Sequence, residues 1–255
     1  KGCRQLILVG DHQQLPPTVI SRRAEQGGLN RSLFERLIAC GLTSTMLTTQ
    51  YRMHPVMREY PSARFYENRL EDGCASADRP APAGFLWPDW DRPMAFIPIE
   101  GAEVQDEEGK SRSNLDEAAK VIGIVDELLA MGDIQASEIG IVTPYNGQVR
   151  LLSSLFEQAG GLEPGQRYGG LEIKSVDGYQ GREKDVIVFS TVRANDEGEI
   201  GFLSDHRRLN VAITRAKRGL IVLGHPTTLR HDPTWRAYLD WADESGLFAW
   251  HLTHS

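Results

Sequence analysis

Two strings in the sequence carry residue types that serve nucleotide chemistry: Gly109-Lys110-Ser111 and Asp116-Glu117. A Gly-rich turn ending in Gly-Lys-Ser could wrap a triphosphate with backbone N–H groups, and an acidic pair could hold its metal ion. Neither string has the setting that chemistry needs. The phosphate loop requires a glycine where Val104 stands and a buried strand where the acidic stretch Glu103–Lys110 stands. The acidic pair should end an apolar strand, yet it follows Ser111-Arg112-Ser113-Asn114. Those residues read as a helix start. Asn114 as N-cap, with Glu117 three residues on, approximates a capping box, and first-turn acids offset the positive end of the helix dipole. Leu115, Ala118, Ile122, Val125 and Leu129 then recur at helical spacing and predict one buried face.

Four other stretches gather amide, hydroxyl, guanidinium and aromatic groups: Gly10-Asp11-His12-Gln13-Gln14-Leu15-Pro16-Pro17, Gln50-Tyr51-Arg52-Met53-His54-Pro55, Thr143-Pro144-Tyr145-Asn146-Gly147-Gln148 and Asp177-Gly178-Tyr179-Gln180-Gly181-Arg182-Glu183. Each alone reads as a turn. Each also follows a run suited to a strand, and ligands of doubly wound sheets bind outside the carboxyl ends of the strands. One polar edge of a sheet is therefore predicted. Arg208 and Arg215, seven residues apart in a helical pattern, are expected on one helix face two turns apart.

The elements that must position these groups are legible as apolar runs. Leu6–Val9, Ile139–Val142, Val186–Phe189 and Leu220–Leu223 are rich in Ile, Val and Leu without alternation, as strands buried on both faces are. Strands are also expected around Leu171–Val176, Met94–Ile99 and, more weakly, Thr45–Thr48. Helical patterns lie between them at Ser32–Ala39, Leu115–Met131, Gly147–Ala159, Leu209–Ala216 and Thr234–Ser245. Strand and helix alternate, which predicts a doubly wound α/β fold with a mostly parallel sheet and helices on both faces. Arg79–Pro98 holds five of the 13 prolines and reads as an irregular connection.

The bulk properties bound the function. With 255 residues, 40% hydrophobic and 25% charged, the composition is that of an ordinary globular domain. No apolar run reaches the length of a membrane span, so no membrane partner is expected. Cys3, Cys40 and Cys74 are odd in number, far apart and without histidines at ligand spacing; no disulfide framework or metal site is indicated, and cytoplasm or nucleus is the expected compartment. Lys1 as the first residue points to a piece of a longer protein. The net charge of -7 weighs against nucleic acid as a partner, but only six of the 28 basic residues are lysine, and arginine suits bidentate phosphate contacts.

In order along the chain, GDHQQLPP, QYRMHP, TPYNGQ, VDGYQGREKDVIVFSTVRAN and RRLNVAITRAKRGLIVLG resemble motif III, the segment after it, and motifs IV, V and VI of superfamily 1 helicases of the up-frameshift and senataxin type. The resemblance runs from about Leu6 to about Pro226. It implies a RecA-like P-loop NTPase fold: residues 1–27 as the tail of a first RecA-like domain, 28–227 as the second, and 228–255 as a C-terminal helical extension. It implies an ATP-dependent helicase that moves 5′ to 3′ on single-stranded RNA or DNA, with ATP between the two domains. The Walker loop and the Mg2+ ligands are expected in the first RecA-like domain of the same protein, so this piece alone is expected to be inactive.

Position by position, the resemblance assigns Gln14 to the terminal phosphate and attacking water, Tyr51 to the adenine, and Arg52 and Arg215 to the γ-phosphate. Glu183, with the Gly181 turn, would touch the ribose or phosphates. Thr143, Pro144, Tyr145, Gln148, Ser175 and Gln180 fall toward the nucleic-acid groove. A non-catalytic module that binds nucleic acid or a protein is the alternative; a fused nuclease has no paired-carboxylate and lysine pattern to support it.

Overall fold

The computed structural model describes residues 4–19, 21–106, 109 and 111–252; Lys1, Cys3 and Lys110 lie outside them. The chain forms two compact units, Lys1–Thr48 and Thr49–Ser255, a division later than the boundary expected at residues 27 and 28. Residues 228–252, from the segment expected as an extension, group with the second unit.

The first unit carries α1 (Arg22–Gln26) and α2 (Leu33–Ala39), the latter capped by Ser32, whose hydroxyl accepts from Glu35 N–H. The strand expected at Leu6–Val9 is not formed: the stretch is irregular, and Val9 is 93% exposed. Among the described residues no strand pairs with it, and an unpaired strand leaves its backbone groups unsatisfied.

In the second unit, β1 (Thr49–Gln50) begins just past the strand expected at Thr45–Thr48 and pairs in parallel with β2 (Glu71–Asp72), apart from the main sheet. Between them runs α3 (Pro55–Phe65), which the sequence pattern did not suggest, since Pro61 interrupts it. Pro55 suits the first helical position, where the missing N–H has no partner to lose. The main sheet is wholly parallel, in the order β3 (Met94–Pro98), β9 (Ala216–Gly224), β8 (Lys184–Ser190), β6 (Ile139–Thr143), β7 (Glu172–Ser175). Every residue of β3 and β6 is buried, as their unbroken apolar runs require.

One face of the sheet, with Ile97, Ile141, Val188 and Leu223, packs on α4 (Leu115–Ala130) and α5 (Asn146–Ala159). The other face takes α6 (His206–Ile213) and α8 (Pro233–Glu244), Trp235 of α8 lying 6.0 Å from Phe189 between ring centroids. A short α7 (Pro226–Leu229) joins β9 to α8. After α8 the chain returns beside β3, where Phe96 N–H donates to Leu247 and Ala249 N–H to Phe96.

One local expectation is corrected, and one local reading is extended. The buried face of α4 is Ala118, Val121, Ile124, Val125 and Leu128, while Leu115 is exposed: the helix is rolled toward β8 because Glu117 also turns inward. Gly109 lies in the loop of an antiparallel hairpin, β4 (Val104–Gln105) with β5 (Arg112–Ser113), not between a strand and a helix.

Candidate active site

The stretch Gln50–His54 is folded on itself before it meets anything else. Gln50 Oε1 accepts the N–H groups of Arg52 and Met53, at 3.0 and 2.8 Å, while its Nε2 donates to Met53 O and Asp72. Arg79 clamps the outside of the turn, donating to the carbonyls of Tyr51 and Arg52 at 2.9 Å each. The inner side is tied to β9 by His54 N–H to Lys217 O, 2.8 Å. His54 Nδ1 accepts from Val56 N–H and so caps α3; burial lowers its pKa, which favours the neutral ring that this bond requires. With its turn anchored, Tyr51 keeps 67% of its surface exposed, its ring lying over Gly73.

Arg52 reaches from this turn to the N-terminal ends of β8 and β9. Its Nε donates to Glu183 at 2.6 Å, and its Nη1 to the carbonyl of Thr214 at 2.9 Å. Lys217 pairs with the other Glu183 oxygen at 3.2 Å. The Arg52 guanidinium beside Glu183 holds its carboxyl below the usual carboxylate range, with Lys217 adding to the effect. Gly181 turns the chain into Glu183 at φ 79°, a conformation that costs glycine nothing. Arg215 follows Thr214 and is 3% exposed; its guanidinium donates to Val211 O and Thr214 Oγ1, both at 2.9 Å. Arg215 therefore sits beyond the end of α6, not on a helix face shared with Arg208. Tyr51, Arg52, Gly181, Glu183 and Arg215 share one corner. Gln14, in the first unit, donates from Nε2 to Asp11 at 2.9 Å.

The polar tips do not share one edge, as had been expected. Thr143 and Ser175 end β6 and β7 at their carboxyl side, whereas Glu183 and Arg215 precede β8 and β9. The chain from β7 to β8 crosses the sheet face, and Tyr179 lies over Gly140 on the way. At the carboxyl edge, Thr143, Pro144, Tyr145 and Gln148 are buried and Ser175 is half-buried, while Gln180, on the crossover just past Tyr179, is exposed. Gln148 is occupied inside: it accepts from Asn114 N–H and donates to Asn114 O and Ser190 Oγ. Tyr145 Oη accepts from Arg193 at 3.2 Å, and the Tyr145 ring packs against Phe202.

Beneath this edge lies a polar network that the sequence did not reveal. Asn114 caps α4 as expected, its Oδ1 accepting from Glu117 N–H at 3.0 Å. The Glu117 carboxyl, however, does not turn back to the cap. It is fully buried and accepts from Ser190 Oγ at 2.5 Å and from Val192 N–H at 2.9 and 3.0 Å. Val192 stands at φ 74°, a strained conformation for a β-branched residue. Next to it, buried Arg193 donates to Glu103 at 2.7 Å, and Glu103 also receives Arg112 at 2.8 Å. Arg193 could have been found by reading past the apolar run of β8. Arg79, in a proline-rich connection, carries no such signal.

A family described as "AAA domain" matches residues 29–227, and a second with the same description matches residues 1–22. The chain is 46% identical over 239 residues to the regulator of nonsense transcripts 1 homolog of Drosophila melanogaster, covering 94% of this chain and 20% of that protein. It is 43% identical over 247 residues to the ATP-dependent helicase NAM7 of Saccharomyces cerevisiae, covering 96% and 25%. It is 44% identical over 254 residues to the probable helicase MAGATAMA 3 of Arabidopsis thaliana, covering 95% and 30%. The chain thus spans between 20% and 30% of the length of these relatives. Among solved structures it is similar to the C-terminal domain of a possible DNA helicase from a Lactobacillus, at 17% identity and a TM-score of 0.38, over 73% of this chain and 96% of that one.

Proposed function

The chain belongs to the AAA domain family, as a superfamily 1 helicase domain of the up-frameshift type, and on that premise we propose that it is the second motor half of an ATP-driven helicase acting on single-stranded RNA or DNA. The observation that carries this reading is the corner at the start of β8 and β9. Arg52, from a turn far earlier in the sequence, hydrogen-bonds the carbonyl of the residue next to Arg215. Arg52 and Lys217 thereby pair with a single carboxylate, Glu183, beside an exposed tyrosine ring, and Arg215 follows the residue that Arg52 holds.

That donor set fits a nucleoside triphosphate. Phosphoryl transfer is accelerated mainly by positioning and charge neutralisation, and an arginine finger contributes about 10³–10⁵ in rate. Arg52 and Arg215 would take the γ-phosphate, Tyr51 the adenine, Glu183 with Gly181 the ribose or phosphates, and Gln14 the attacking water. Triphosphate oxygens would exchange for Glu183 at Arg52 and for the Val211 carbonyl at Arg215, so each guanidinium keeps an acceptor throughout. Mg2+ would neutralise phosphate charge from ligands on the first RecA-like domain of the same protein. This chain alone holds no Gly-rich loop ending in Gly-Lys-Ser/Thr behind a strand, so by itself it should not turn over ATP.

Single-stranded nucleic acid would run along the opposite, carboxyl edge. There Ser175 would offer its side chain, with Gln180 approaching from the crossover, while buried Thr143, Pro144, Tyr145 and Gln148 shape the surface from below. Helix α6 spans the two edges. Near its start Arg208 pairs with Asp177 just past β7, and its end delivers Thr214 and Arg215 to the nucleotide corner, about 12 Å along the axis for eight residues.

The test is ATP turnover by the full-length protein, with and without single-stranded RNA or DNA, for the wild type, Arg52→Ala and Arg215→Ala. Stimulated turnover in the wild type and a loss of about 10³-fold or more in each variant are expected. Wild-type rates in Arg215→Ala would remove the finger assignment, and strand binding without any turnover in the wild type would favour a non-catalytic module.

A further inference from the structure

We propose that Phe202 is a stacking platform for a base of single-stranded nucleic acid, a role that rests on the helicase reading and adds a contact to its carboxyl edge. Phe202 lies in the short turn Gly201–Ser204 between β8 and α6. The turn places its leucine inward, Leu203 being 1% exposed, and leaves Phe202 52% exposed. Such outward display forgoes part of the gain from burying an aromatic ring, so the position favours a residue that a ligand will cover.

The ring is held in place. Its centroid is 5.4 Å from that of Tyr145, with 41° between the planes, and the Arg208 guanidinium carbon lies 5.3 Å from its centroid. Phe202 N–H donates to Tyr145 Oη at 3.4 Å. Both neighbours are anchored in turn. Tyr145 Oη is fixed by Arg193, which is fixed by Glu103; Arg208 donates to both oxygens of Asp177, at 3.2 and 3.3 Å. A buried tyrosine therefore serves as pedestal, and the phenylalanine above it is the aromatic that faces outward.

The chemistry selects a base over a phosphate. Arg208 already has Asp177 and, at 3.8 Å, Asp205 beside it, so its charge is largely offset. What the surface offers is a half-exposed aromatic ring with a guanidinium over it, a combination that accepts any base without reading its sequence. The place is apt: Tyr145 follows β6 and Asp177 follows β7, so the ring stands over the strand ends where the nucleic acid is proposed to run.

The test uses the full-length protein and fluorescence anisotropy with labelled oligouridylate, oligothymidylate and an all-abasic strand of equal length. Phe202→Ala should weaken binding to the two base-bearing strands by about 5- to 150-fold, the equivalent of about 1–3 kcal/mol for one stacked base. It should leave binding to the abasic strand as in the wild type, and Phe202→Trp should restore binding to the base-bearing ones. Equal affinities of wild type and Phe202→Ala for the base-bearing strands overturn the proposal. An equal loss on the abasic strand also overturns it, pointing to a fold or protein contact. A wild type that binds none of the strands defeats the helicase reading itself, and the stacking role falls with it.

Discussion

A carboxyl group with no exposed surface is costly unless its oxygens are satisfied, and Glu117 meets that cost through Ser190 and Val192. Burial pushes its pKa up to about 7 from 4.5, the bonds from Ser190 and Val192 opposing the rise. Because the folded value lies above the unfolded one, protonation favours the fold. The contribution is complete below about pH 4.5 and is lost as pH rises through about 7. Wild type should therefore lose about 2–3 kcal/mol relative to Glu117→Gln between pH 5 and pH 8. Denaturant unfolding of both proteins across that range checks it, and parallel pH profiles would show that Glu117 titrates normally. At this scale the sequence revealed the Asn114 cap, because a cap is made with a backbone N–H three residues away. It could not reveal where the Glu117 carboxyl goes, because Ser190 and Val192 lie more than 70 residues on.

Among the elements, the crossover from β7 to β8 is the piece that splits the polar tips between two edges. It passes over β6, where Gly140 leaves room for buried Tyr179; a Cβ there would run into the Tyr179 hydroxyl. Gly140→Ala should cost about 1–3 kcal/mol, as overpacking of a filled core does. Among the described residues the Tyr179 hydroxyl has no hydrogen-bond partner. Removing it in Tyr179→Phe should cost little and should recover part of the Gly140→Ala loss, a double-mutant cycle in urea being the measurement. Additive effects of the two substitutions would mean that the contact is not made. The helix α3 belongs here too: Pro61 hides it from the sequence pattern, yet Met57, Tyr60 and Phe65 bury one side of it in the unit.

At the scale of the whole chain, a net charge of -7 bears on the proposed binding of nucleic acid. Most arginines near the carboxyl edge are already paired, Arg193 with Glu103, Arg207 with Asp205 and Arg208 with Asp177. Few phosphates can then be neutralised by this unit. If it engages about two or three, the logarithm of affinity against the logarithm of salt should have a slope of about -2. Titrations of the second unit's contribution, as the difference between wild type and Arg208→Gln in the full-length protein, should change that slope by less than about 1. A much larger change would reveal a strongly basic groove.

Runs rich in apolar residues mark where strands can form, but they do not by themselves make one. The runs at 94–99, 139–142, 171–176, 186–189 and 220–223 all enter the one parallel sheet. The same pattern at Leu6–Val9 yields no strand, because a strand also needs a neighbour to take its backbone groups. The residue types of the corner proposed for the nucleotide were likewise present in the chain. Their meeting was not: Arg52, Glu183 and Arg215 come together through a turn, a crossover and a helix end whose separation in sequence says nothing of their separation in space. Exposure was decided last of all. Tyr145 and Phe202 are alike in chemistry, and only the packing of one upon the other determines which faces solvent.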